Sequence, residues 1–138
     1  MYVSHRSGLY THNIATNTEK KMFLNLMANR IIETIANEGT NTTPSMNPFT
    51  TPSSYHGSLN DCSIYSASDS PKYKFEWCTD LQAQVGGFNE YPGEERTVSV
   101  VKEGNDLLID VTLIIDGGSD GSNLVQAYFS RRLRQGQI

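Results

Sequence analysis

The stretch from Thr11 to Asn37, THNIATNTEKKMFLNLMANRIIETIAN, most constrains what this chain can fold into. Leu24, Met27, Ala28, Ile31, Ile32 and Ile35 recur at spacings of three and four, which places them on one stripe of a helix. No proline interrupts the run, and Gly39 stands just past the last periodic residue, where a helix stop is expected. One helix over 11–37 is therefore predicted. Its first half is polar, with Ile14 and Ala15 the only apolar residues before Met22. At 1.5 Å per residue the helix spans about 40 Å. A domain of this size has a radius of gyration of only about 14 to 15 Å. The polar half is thus expected to project from the domain or to lean on another molecule, and the core half to run from about Met22 to Ala36.

The chain's 138 residues suit a single domain, 1–138, with enough length to bury a real core. Charged residues are only 19%, while Ser, Thr, Asn and Gly abound, a composition common in secreted proteins with long loops. A net charge of −4 argues against a general nucleic-acid binder, whose domain would carry a basic footprint. Arg131, Arg132 and Arg134 cluster near the end of the chain and read as a solvated strand end or, more sharply, as a contact for an acidic partner. No run approaches the 18 or so apolar residues of a membrane helix, and no secretory signal is present. Met1 directly before YVSHRSG reads as a start placed ahead of an internal segment, so an upstream piece is expected.

Cys62 and Cys78 have no CxxC partner and no nearby histidine set of the kind zinc needs. Two cysteines in a polar, loop-rich chain suit one disulfide in an oxidising compartment. Its closed loop of about 16 residues would stabilise the fold by about 3 kcal/mol. The alternative is two unrelated buried thiols.

From Gly39 to about Ser70, Pro44, Pro48 and Pro52 exclude a helix and disfavour a central strand. Phe49, Tyr55, Leu59, Ile64 and Tyr65 supply apolar anchors for this long loop. Ser70-Pro71 reads as an N-cap followed by proline at the first helical position, and Gly86-Gly87 as the stop. A short helix over 71–85 follows, with Trp77, Cys78, Leu81 and Val85 on one face. The whole of 39–95 is then a loop region clipped by the disulfide. From Arg96 the period becomes two. Val98 and Val100 are followed by a turn at 103–106, then by Leu107, Ile109, Val111, Leu113 and Ile115 on one strand face. After a second turn at 116–122, Val125, Ala127 and Phe129 share a face of a third strand. The predicted fold class is α+β: a long N-terminal helix laid on an antiparallel three-stranded meander over 96–133, with the Leu24 to Ile35 stripe as its only cover of suitable length.

No catalytic set emerges, and a non-enzymatic role without a cofactor is expected. His5, His12 and His56 are scattered and read as structural. Ser54, Ser58 and Ser63 lie near His56, yet no GxSxG turn exists, and the disulfide would remove Cys62 as a nucleophile. Gly86-Gly87 and Gly117-Gly118 lack phosphate-loop spacing. Asp116 and Asp120 offer a possible calcium cradle, but a plain hairpin turn is the simpler reading and no metal is assigned. Tyr55, Tyr65 and Tyr73 suggest a sugar- or protein-binding surface or, more simply, satellite core.

Three strings carry a resemblance: FLNLMANRIIETIANE at the helix end, KFEWCTDLQAQVGGF at the short helix, and LLIDVTLIID at the long strand. Together with the layout they resemble type IV pilin-like proteins, most closely the PilV-type minor pilins. The resemblance implies a pilin-like fold whose missing apolar helix half lies upstream of Met1, anchors a precursor in the inner membrane and later packs in the filament. It implies a structural role in type IV pilus assembly or initiation, with possible adhesion. The domain would be periplasmic and then part of the cell-surface pilus (fimbrium), with other minor pilins and the major pilin as partners. Subunit contacts are then expected at Asn13, Asn17, Glu19, Lys20 and Asn29, and on the 40–66 loop. A disulfide commonly fastens the distal region of such proteins, matching Cys62 and Cys78. A type II secretion pseudopilin shares the plan, and a secreted binding module unrelated to pili is the alternative from another class.

Overall fold

The computed structural model describes residues 9–117 and 123–136, with side chains described from residue 17 onward in the first helix. The long helix, α1, runs Leu9–Glu38, slightly beyond the predicted bounds at both ends. It stops beside Gly39, but not through a left-handed glycine: Gly39 is absent from the positive-φ residues. Instead, the freed carbonyls find other donors. Asn41 N–H donates to Glu38 O, and the Asn47 side-chain amide donates to Gly39 O and Asn41 O.

Two residues, Gly57–Ser58, form β1. The second helix, α2, spans Tyr73–Val85, followed by β2 (Glu95–Glu103), β3 (Asp106–Asp116) and β4 (Leu124–Arg134). The sheet is antiparallel throughout, in the order β1-β2-β3-β4. It thus has a fourth strand that the three-stranded expectation lacked, because two residues inside a Ser- and Pro-rich loop carry no legible period. The β2–β3 hairpin closes on Gly104-Asn105, with Gly104 at φ 63°. A first turn residue at positive φ suits the twist of the flanking strands, and glycine adopts it without strain.

Two readings of the middle region are corrected. The prolines do not exclude helical backbone: Pro44 and Pro52 each open a 3₁₀ turn, Pro44–Met46 and Pro52–Ser54, and Cys62–Ile64 forms a third. Proline suits the first position of such a turn because that N–H would lack a partner anyway. Pro71 does not open α2. The Ser70-Pro71 peptide is cis, and Lys72 is the N-cap, without a side-chain capping bond. The glycine stop does hold, with Gly86 at φ 90° and its N–H on Gln82 O.

The core lies against one face of the sheet. Leu107, Ile109, Val111, Leu113 and Ile115 are fully buried, as their period predicts. The α1 stripe of Leu24, Met27, Ala28, Ile31, Ile32 and Ile35 is buried against β4 and β3. That stripe is not the sole cover. Phe49, Tyr55, Leu59, Trp77, Cys78 and Leu81 join the same core beside Val98 and Val100 of β2. Tyr55, Tyr73 and Trp77 stack in series, with centroids 6.0 and 5.9 Å apart. Two of the three tyrosines offered as a binding surface are therefore part of the packing. The third, Tyr65, donates its hydroxyl to Ser58 O.

Cys62 and Cys78 form the disulfide, tying the third 3₁₀ turn to the buried face of α2. The segment before β2 is held by one carboxylate: Glu94 accepts from the N–H groups of Asn89, Tyr91 and Asp116. Arg96 is buried, donates to Gly87 O, and has its pKa lowered by that burial against the pull of Glu94.

Candidate interaction surface

One side of α1 meets the core, and its flanks are fixed by ion pairs and hydrogen bonds. On one flank Arg30 reaches Asp80 of α2 at 2.5 Å. On the other, Lys21 Nζ donates to Gln126 O of β4, and Glu33 pairs with Arg131 of β4 at 2.8 Å. A helix turns about 100° per residue. Met22 and Asn29 therefore point outward on the β4 flank, between the directions of Lys21 and Glu33.

Met22 was expected inside the core half, yet it is 59% exposed, and Leu26 is 67% exposed. The four-residue spacing of Met22 and Leu26 is itself a signal, since it lies off the Leu24–Ile35 stripe. Polar neighbours hid it: Asn25 and Asn29 make the outward face read as solvated. Beside Met22 a hollow of about 450 Å³ opens between α1 and the start of β4. Asn17, Thr18, Lys21, Leu124, Val125 and Gln126 complete its lining. Leu124 is 40% exposed there.

The expected contact residues do not gather in one place. Asn17 is half-buried where α1 crosses the end of β3. Its side-chain oxygen lies 3.0 Å from where a Cβ on Gly117 would stand, so glycine permits that approach. Residues before Met22 are thus used by the domain, contrary to the expectation that the polar half projects from it or leans on another molecule. Glu19 and Asn29 are exposed, and Lys20 is half-buried. Asn13 belongs to α1, but its side chain lies outside the described residues, as does that of His12. His5, Gly118 and the Asp120 half of the calcium alternative also lie outside them. Among the described residues, no group of three or more histidine, cysteine or acidic side chains stands ready to hold a metal.

The remaining candidates have local work. His56 Nδ1 accepts the Val100 N–H at 3.0 Å, so its imidazole extends the short cover that β1 gives β2. In the 40–66 loop, Asp61 caps the third 3₁₀ turn through Ser63, whose hydroxyl and amide hold the carboxyl below its usual range. The three arginines of β4 already have acids of this chain: Arg131 has Glu33, Arg134 has Asp106 at 3.2 Å, and Arg132 has both Asp106 and Glu103. The Arg132 hydrogen bond, above all, lowers the Asp106 carboxyl. On the outer sheet face Tyr128 donates to Asp110 at 3.1 Å, which raises the phenol's pKa.

Chemically, the α1 and β4 margin offers thioether and aliphatic surface bordered by amides and a lysine, the make-up of a contact surface. No protein-family model, no characterised protein and no solved structure matches this chain. No helix among the described residues is long and apolar enough to cross a membrane.

Proposed function

We propose that this chain is the globular part of a type IV pilin-like subunit of the PilV type, working by subunit packing in pilus assembly. One observation carries the reading. The helix α1 has 30 residues, and among its described side chains the buried stripe begins at Leu24. Before it the described side chains give the domain polar ties, Asn17 beside Gly117 and Lys21 on Gln126 O, and the helix's outward face exposes Met22 and Leu26. A helix that serves only its own domain has no use for that exposed apolar pair. In a filament subunit both meet neighbouring helices.

In this reading the contact set is Met22 and Leu26 with Asn17, Glu19, Lys20 and Asn29, extended by Asn13 toward the helix start. Other minor pilins and the major pilin are the partners. An apolar helix encoded upstream anchors the precursor in the inner membrane before the subunit joins a surface fibre, where it contributes to initiation or adhesion. The role is structural and needs no cofactor.

Two measurements test it. The gene upstream of codon 1 is expected to encode a contiguous apolar run of about 20 residues; a cleavable secretory signal in its place would sink the proposal. In two-hybrid assays of membrane-anchored precursors, Leu26→Asp is expected to lose pairing with minor pilins while the isolated domain melts unchanged. Retained pairing would remove this face from the assembly.

A further inference from the structure

The two edges of the sheet are finished differently. At one edge, β1 is two residues long, Leu59 N–H adds a bond to Arg96 O, and His56 takes the Val100 N–H. At the other, β4 runs eleven residues in unbroken register with β3, from Asp106↔Arg134 to Asp116↔Leu124. It contains no proline and no bulge, two of the devices that blunt an edge, and its charges, a third device, are confined to the arginines of its C-terminal half.

The direction of its free backbone groups follows from two bonds. Gly117 N–H donates to Asn123 O, so odd-numbered residues of this strand bond toward β3. Gln126 O instead accepts from Lys21 on the opposite side. The outward groups therefore belong to Gln126, Tyr128, Ser130 and Arg132. Among the described residues, the Lys21 ammonium is the one recorded partner on that side.

We propose that the β4 edge pairs with the β4 edge of a second copy of this chain, antiparallel about a two-fold axis at Tyr128, with Lys21 as its guard. This register sets Tyr128 opposite Tyr128, Gln126 opposite Ser130, and Leu124 opposite Arg132, each pair exchanging the outward N–H and C=O groups.

The strand's charge pattern is compatible with a second copy in the antiparallel direction. The strand carries Arg131, Arg132 and Arg134 and no acid, all on the C-terminal side of Ser130. In-register parallel pairing would stack arginine beside arginine, which is repulsive. The antiparallel two-fold sets every arginine against the neutral half of the other strand. Apolar surface agrees. Of the six exposed large apolar side chains among the described residues, Leu124 and Tyr128 lie on the outward positions of β4, and Met22 lies on the β4 flank of α1. Met22 shares the hollow at the β4 edge with Leu124. A two-fold axis normal to the sheet brings both α1 helices to the same face, with their Met22 and Asn29 flanks toward the seam. Lys21 occupies the Gln126 oxygen that Ser130 of the second copy would use, so the ammonium must move for the strands to zip. This pairing stands apart from the filament reading and does not require it.

Sedimentation equilibrium of the full chain over a range of concentrations tests the proposal. A reversible dimer is expected. Lys21→Met is expected to tighten it about tenfold by removing the competing donor. Ser130→Pro deletes one outward N–H and fills the pairing space without touching a bond to β3, and is expected to leave a monomer with unchanged circular dichroism. Tyr128→Cys is expected to form a disulfide-linked dimer on mild oxidation, a readout independent of whether the proline variant folds. Wild type and Lys21→Met both remaining monomeric to about 1 mM would overturn the pairing. So would a dimer that survives Ser130→Pro, or one that Tyr128→Cys fails to lock.

Discussion

The helix α1 covers β3 and β4 with a single apolar stripe, whereas the segment from Thr40 to Glu94 covers β2 with side chains drawn from three 3₁₀ turns, β1 and α2. The first cover satisfies its backbone internally, by the repeating bonds of a helix. The second has few such repeats, so its backbone groups are met one at a time. Asn47, Asp61, Glu94, Lys74 and His56 each hold a stretch of backbone there. The disulfide and the Tyr55–Tyr73–Trp77 stack do what regular periodicity does for α1. The difference teaches that burying the same sheet face needs either a regular element or cross-links, and that the irregular cover should fail locally.

Removing the centre of the irregular cover is expected to have the largest effect. Trp77→Ala opens a cavity in a fully packed site and should destabilise by about 3–5 kcal/mol, measured by urea unfolding. A loss under about 1 kcal/mol would mean the second cover contributes little to the fold. Next comes the clip. Replacing Cys62 and Cys78 together with alanine should lose about 3 kcal/mol. Hydrogen exchange should show the loss first in residues 57–81, while the amides of α1 between Leu24 and Ala36 stay protected. Uniform deprotection of both covers would erase the distinction between them.

A single side chain gives a smaller effect. Asn47 bonds Gly39 O, Asn41 O and Phe49 N–H, so Asn47→Ala should cost about 2 kcal/mol, with Phe49 N–H exchanging faster. An unchanged Phe49 amide would place the control of that turn elsewhere. The least is expected from the tie between the two covers. Arg30 and Asp80 are each about half exposed, and Arg30→Ala should change stability by less than about 1 kcal/mol. A larger loss would mean that the two covers act as one unit.

The α1 stripe, the β3 core face, the β2–β3 turn, the glycine stop of α2 and the Cys62–Cys78 link were legible from residue order. Each has a local cause: a period of 3.6 or 2, a glycine at a turn, or an even cysteine count. The outward pair Met22 and Leu26 was legible in principle, yet chain order alone placed Met22 with the core. Pro71 misled for a related reason. Its sequence position suits a helix start, but Lys72 is the N-cap and Pro71 stands ahead of it.

What the sequence by itself determined is the two helices, the three long strands and their greasy faces, because those follow from neighbours within a few residues. Only the tertiary structure decided how the faces are shared. Part of the sheet's cover comes from a segment that is periodic only in α2, since its other apolar anchors are brought together by a disulfide, side-chain bonds and stacking across tens of residues. It also decided which edge was left open. Gly57–Ser58 shields β2, and among the described residues nothing equivalent shields β4 apart from Lys21, more than a hundred positions away from Gln126 along the chain. Pairing of that kind depends on spatial register, and no local pattern in the residues encodes it.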